Sequence, residues 1–291
     1  RVSHAVLLET FRDLNLPTAF ARFYSGFLSG RTFRVRVGST LSRECTQQSG
    51  VPQGTVSGPV LFVIYTEALL RHLRPTLSSL SVQAGMFADD LTIWVTGPDP
   101  DALAAALTVI AAAVQKWTLT ANMLIAGEKS ETILFTNAPT DRLPTVTVNG
   151  KRITPSQEVR LLGVQLDSAL TFRPHVTKLT SRATHRIKQL AAVASSTFGL
   201  PPRDLRTMYL AYIRSLLEHG AAAWFPGLSP TQVDRLETIQ RKAARVVLGV
   251  PRTVDNDSLL LEANLEPLEA RLNATVAVAA ERWRRLPSYD P

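Results

Sequence analysis

Apolar residues near the start of the chain recur at helical spacing: Val6, Leu7, Phe11 and Leu14, then, past Pro17, Phe20, Phe23, Tyr24 and Phe27. That period predicts two amphipathic helices, the second stopped by Gly30. The period then drops to two. In "RTFRVRVGST", Phe33, Val35 and Val37 share one face and Arg34 and Arg36 the other, which predicts a half-exposed strand ending in a Gly38-Ser39 turn. Residues 50–59, "GVPQGTVSGP", hold three glycines and two prolines and read as a loop. Ser57 can cap, and Pro59 can open, a helix over 60–73. Two short strands joined at Asp89-Asp90 are expected within 82–94 and a helix within 102–117. The strand-like segments "ETILFTN", "TVTVNGKRI" and "VRLLGVQLD" follow. After Thr171 the spacing is helical to the end, broken at 199–202, 226–230, 249–251 and Pro267. The pattern predicts an α+β part over residues 1–170, an antiparallel sheet with packed helices, and an all-helical part over 171–291.

Charge sharpens that division. Residues 1–170 carry 15 Lys/Arg against 13 Asp/Glu, and residues 171–291 carry 17 against 11, so most of the net charge of +8 sits in the helical part. A basic surface there suits a polyanionic partner. The single cysteine, Cys45, excludes an internal disulfide framework and a Cys-rich zinc site, and fits a reducing, intracellular compartment. No run approaches the roughly 18 apolar residues of a membrane helix. The nearest, 102–114, is alanine-rich and interrupted by Thr108, so it is expected to be a packed helix, with no membrane partner.

Two features carry candidate chemistry. In "MFADDLTIWV", residues 86–95, adjacent carboxylates lie between apolar flanks that can anchor a hairpin and leave its tip exposed. Asp89 and Asp90 there are hard oxygen donors suited to Mg²⁺, with Mn²⁺ as a possible substitute; the alternative is a solvated turn with no ligand. Within 175–194, Val176, Leu179, Ala183, Ile187 and Leu190 form an apolar arc, while Lys178, Arg182, His185 and Lys188 lie on the other side. Such a helix can lie along a duplex and contact phosphates without reading sequence, or its charges can simply keep it soluble. Arg241, Lys242 and Arg245 pose the same choice, and Trp224 and Trp283 are expected in core or interdomain packing.

In this order, "RVSHAVLLE", "SGFLSGRTFRVRVGSTLS", "GVPQGTVSGPVLFVIY", "FADD", "LIAGEKSETILF", "VRLLGVQLD", "LEHGAAAW" and "IQRKAARVVLGVPR" resemble the reverse transcriptases of non-LTR (LINE-type) retrotransposons. The resemblance covers nearly the whole chain. It implies a polymerase palm followed by a helical thumb, with RNA template, DNA primer, RNA–DNA duplex and dNTPs as partners. It also implies nuclear localisation. Asp89 would ligate metal, with Asp90 contributing less directly. Phe87 would pack against the primer end, or else fill core. Gly50, Gln53 and Gly54 would approach the nucleotide and template, unless the loop is an ordinary helix-opening turn. Lys129 would sit near the departing pyrophosphate, or be an exposed turn lysine. Ala126 stands where the family usually has Asn. Leu162 and Gly163 would form the primer-grip turn.

Two-metal transfer needs carboxylates from more than one strand. In the family another Asp comes from a block that would lie immediately before Arg1, together with most of the fingers. The chain is therefore expected to be a fragment that is inactive alone. A catalytically dead retrotransposon remnant that at most binds nucleic acid is the alternative, and an RNA-templated RNA polymerase a third possibility.

Overall fold

The computed structural model describes residues 2–136, 143–194 and 199–286. They separate into two compact units, residues 2–132 with 143–155 and residues 133–136 with 156–286.

The first unit opens with α1 (His4–Asp13) and α2 (Thr18–Leu28), as the spacing predicts. Ser3 caps α1 by accepting the Val6 N–H. Next, β1 (Thr32–Phe33) pairs with β4 (Cys45–Thr46), and inside that pair β2 (Arg36–Val37) pairs with β3 (Thr40–Leu41) around Gly38. This departs from the single half-exposed strand expected over 31–40. Pairing lapses at Arg34 and Val35, and Phe33, Val35 and Val37 are all exposed, so no face of the ribbon is buried.

After the glycine-rich loop comes α3 (Gly58–Leu80), which runs past Pro75 and beyond the expected residue 73. Ser57 holds its N-cap position without a side-chain cap bond. Then follow β5 (Gln83–Phe87), β6 (Asp90–Trp94), α4 (Pro100–Thr120), β7 (Val146–Val148) and β8 (Lys151–Ile153). α4 is, contrary to expectation, long and apolar enough to cross a membrane by length and composition. Its Ile110, Val114 and Trp117 are nonetheless buried with Leu7, Phe11, Leu61, Tyr65, Leu69 and Leu73 in the core of this unit. No strand forms over residues 131–136 of "ETILFTN", because the division between units falls inside the segment and no described strand pairs with it. Asn137 lies outside the described residues.

The second unit begins with the hairpin β9 (Glu158–Leu161) and β10 (Val164–Asp167), followed by α5 (Arg173–Ala192) and α6 (Pro202–Met208). A π-helical stretch, Tyr209–Arg214, leads into α7 (Ser215–Glu218), α8 (Ala221–Trp224) and a 3₁₀ turn, Phe225–Gly227. α9 (Pro230–Leu248), α10 (Asn256–Glu262) and α11 (Leu268–Arg284) complete it. The breaks fall where glycine and proline put them: Gly249 caps α9 in the left-handed region and Pro267 precedes α11. The whole apolar arc of α5 is buried, as is Trp224. Trp283 is instead 58% exposed and belongs to no core.

The hairpin β9–β10 belongs with the helices, so the compact division precedes the boundary expected at residue 170. Val164 is buried in the helical core, and Asp167 joins β10 to α5. Its carboxylate accepts the Thr171 N–H at 3.0 Å, the Thr171 hydroxyl at 2.9 Å and the Phe172 N–H at 2.7 Å. Burial raises its pKa, but those donors outweigh burial and hold it below the usual carboxylate value. The fold is mixed α and β, and every strand pairing among the described residues is antiparallel. Among the described residues the strands remain five two-stranded ladders rather than one sheet, because each strand pairs with a near neighbour in sequence.

Candidate functional site

The aspartate pair sits where the apolar flanks put it. β5 and β6 pair from Gln83↔Trp94 to Phe87↔Asp90, leaving a two-residue loop of Ala88 and Asp89. Ala88 adopts φ 54°, the left-handed geometry of tight hairpin turns. Val82 is buried, and Met86, Leu91, Ile93 and Val95 pack on the core, so the base of the hairpin is anchored and its tip is not. Phe87, Ala88, Asp89 and Asp90 are all exposed. At 66% exposure Phe87 fills no core, which removes that alternative. Neither aspartate's carboxylate has a hydrogen-bond or ion-pair partner among the described residues.

Residues 50–59 are tied to the N-terminal segment. Gly50 donates its N–H to the Val2 carbonyl at 2.7 Å, its own carbonyl lies 2.9 Å from His4 Nε2, and Ser3 bridges to Ser49. On its other side the segment is held by Tyr65, whose hydroxyl accepts the Ser3 N–H at 3.4 Å and donates to the Ala121 carbonyl at 2.6 Å. Spacing could not reveal these ties, which join residues 46 and 62 positions apart. Gly50 and Gly54 take φ 90° and 82°, a backbone open to glycine and strained for other residues. Gln53 is exposed. The loop and the aspartate hairpin attach to opposite ends of α3. Lys129 is exposed in a turn closed by its own N–H on the Ala126 carbonyl at 2.9 Å, so backbone contacts close the turn at the position where Asn was expected.

Leu162 and Gly163 form the two-residue loop of β9–β10, with φ 46° and 92°. They lie in the second unit, as do the basic residues of α5. Those basic residues do not act as one face. Lys178 is paired with Glu158 of β9 at 3.2 Å, and Arg182 is exposed without an ion-pair partner among the described residues. His185 and Lys188 instead line a groove between α5 and α9. Arg235 and Lys242 face them, and Thr177, Ser181, Thr184 and Thr238 supply hydroxyls. Of the second basic cluster only Lys242 reaches this groove: Arg241 is bound to Asp234 at 3.3 Å and Arg245 to Asn256 at 2.9 Å. Arg235 and the hydroxyls carried no signal until α5 and α9 were seen side by side.

Among the described residues no three His, Cys, Asp or Glu side chains gather as a metal site. Two adjacent exposed carboxylates with no competing cation still fit Mg²⁺, which takes one or two carboxylates and completes its shell with water and substrate phosphates.

Residues 1–166 match the family model described as reverse transcriptase (RNA-dependent DNA polymerase). The chain belongs to that family, among its non-LTR (LINE-type) members. It is 29% identical over 253 residues to the RNA-directed DNA polymerase from mobile element jockey of Drosophila funebris, covering 86% of this chain and 27% of that protein. It is 25% identical over 295 residues to the probable RNA-directed DNA polymerase from transposon BS of Drosophila melanogaster, covering 98% and 32%. It is 28% identical over 262 residues to the probable RNA-directed DNA polymerase from transposon X-element of Drosophila melanogaster, covering 89% and 28%. The chain thus spans about a third or less of each relative.

Proposed function

We propose that this chain supplies palm and thumb parts of an RNA-directed DNA polymerase of a non-LTR retrotransposon, joining dNTPs to a DNA primer on an RNA template. The carrying observation is the Asp89-Asp90 hairpin, anchored at its base and bare at its tip, in a chain of this family.

The first unit is read as palm. Asp89, supported by Asp90, would hold Mg²⁺, which when bound neutralises charge at the reacting phosphate. The exposed Phe87 ring offers a stacking surface to the primer end. Gln53 can hydrogen-bond to base or sugar, and Gly50 and Gly54 let backbone approach the incoming nucleotide. The Lys129 ammonium can neutralise charge on the leaving pyrophosphate.

The second unit is read as thumb, with Leu162-Gly163 against the primer. Its phosphate-binding surface is assigned to the α5–α9 groove, where His185 and Lys188 meet Arg235 and Lys242. Lys178 and Arg182 flank that surface. Insertion into chromosomal DNA would place the activity in the nucleus.

Extension of a labelled DNA primer on an RNA template by the full protein tests the reading. Incorporation of dNTPs supports it, and incorporation of rNTPs instead makes the protein an RNA-templated RNA polymerase. The 291-residue chain by itself is expected to bind duplex and extend no primer, because Asp89 and Asp90 sit on one hairpin and two-metal transfer needs carboxylates from more than one strand. Measurable extension by it contradicts that expectation.

A further inference from the structure

The "LEHGAAAW" segment is built around the Leu162-Gly163 turn. His219 Nε2 lies 2.9 Å from the Leu162 carbonyl oxygen. A carbonyl only accepts, so this ring nitrogen carries the hydrogen and donates. The ring also abuts the next residue: a Cβ on Gly163 would come within 2.9 Å of His219 Nε2. From the other side, a Cβ on Gly220 would come within 3.0 Å of Val164 Cγ2. Glycine at both positions lets the two turns press together.

Leucine resists the left-handed backbone that Leu162 adopts, so a bond from outside the hairpin has something to hold. His219 is itself held. Its carbonyl accepts the Trp224 indole N–H at 2.9 Å, and Trp224 is fully buried. The Trp224 ring lies 5.0 Å from that of His175, whose Nδ1 accepts the Gln165 N–H of β10 at 3.2 Å. The chain of contacts therefore starts and ends on the same hairpin. An exposed histidine serving only solubility needs none of this.

We propose that His219 is a positioning residue that fixes the Leu162-Gly163 turn against the primer. The proposal rests on the primer-grip reading of that turn. Single-turnover primer extension by the full protein tests it, with duplex affinity and melting temperature measured in parallel. His219→Phe keeps a ring and loses the donor; it is expected to slow incorporation roughly ten- to a hundredfold while duplex affinity stays within about twofold. His219→Gln, which restores an N–H at similar reach, is expected to recover the rate to within about threefold. If the phenyl ring prevents folding, His219→Asn, whose amide is too short to reach the carbonyl, takes its place.

A wild-type rate in the donor-less variant overturns the proposal. So does a parallel fall in rate, affinity and melting temperature, which marks a purely structural role. Gly163→Ala separates the two readings. If it leaves extension unchanged, the turn is not at the primer and both fall. If it slows extension while His219→Phe does not, the primer-grip reading stands and the role of His219 is refuted.

Discussion

His175 is the residue whose protonation most directly opposes folding of the second unit. Burial first, then the charges of His219 and Arg182, push its pKa down to about 4 from an ordinary 6.5. Its Nε2 is buried with no partner among the described residues, so the ring has no acceptor there to offset a charge. The folded state keeps the ring neutral while the unfolded chain takes up a proton near pH 6.5. Its stabilisation is therefore complete above about pH 6.5 and is lost progressively toward pH 4, by on the order of 3 kcal/mol. Urea unfolding followed at pH 7.5 and 4.5 is expected to show that loss, and to show less of it in His175→Phe. Equal pH sensitivity in the two proteins contradicts the assignment. Asp167 works in a separate window. Its lowered pKa means its contribution is present above about pH 4 and disappears as pH falls further. Asp167→Ala strands the Thr171 and Phe172 N–H donors and is expected to cost about 2 kcal/mol in the same assay. No change in unfolding free energy would contradict that. Neither role was legible beforehand, because each depends on partners that only the folded turn assembles.

The aspartate hairpin was legible as an element because its signal is local. Apolar flanks at period two lie on either side of a polar turn, and pairing, anchoring and exposure all follow from that pattern. "TVTVNGKRI" and "VRLLGVQLD" succeeded for the same reason, with Asn149-Gly150 and Leu162-Gly163 in the left-handed region of their turns. "ETILFTN" failed because a strand needs a partner, and alternation supplies none. The basic face of α5 was half legible: the side it occupies was right, but which cations stay free depends on Glu158 and on α9. Lys188→Ala and Lys242→Ala are therefore expected to weaken RNA–DNA duplex binding, and each removed phosphate contact is expected to lower the salt slope by about one. Arg241→Ala, which removes a cation already paired with Asp234, is expected to change affinity less. Fluorescence anisotropy across a salt series checks this, and equal losses at Lys242 and Arg241 would deny the groove its role.

At the scale of the whole molecule, two cores explain two units. The second has a self-contained core running from Val164 to Leu272, hairpin and helices together. A chain beginning at Ser156 is expected to melt cooperatively with strong helical circular dichroism, whereas one beginning at Thr171 loses Val164 and the Asp167 turn and is expected to melt lower. Equal melting temperatures would show that the hairpin is no part of that unit. Charge and periodicity placed the change of architecture near residue 170, since they register where helices begin and not what packs on them. The bare tip of the β5–β6 hairpin is the proposed seat of the catalytic metal. Asp89→Asn in the full protein, assayed for RNA-templated primer extension with Mg²⁺, is expected to abolish synthesis while RNA–DNA duplex affinity and melting temperature stay unchanged. Synthesis at the wild-type rate would rule out that role for the hairpin.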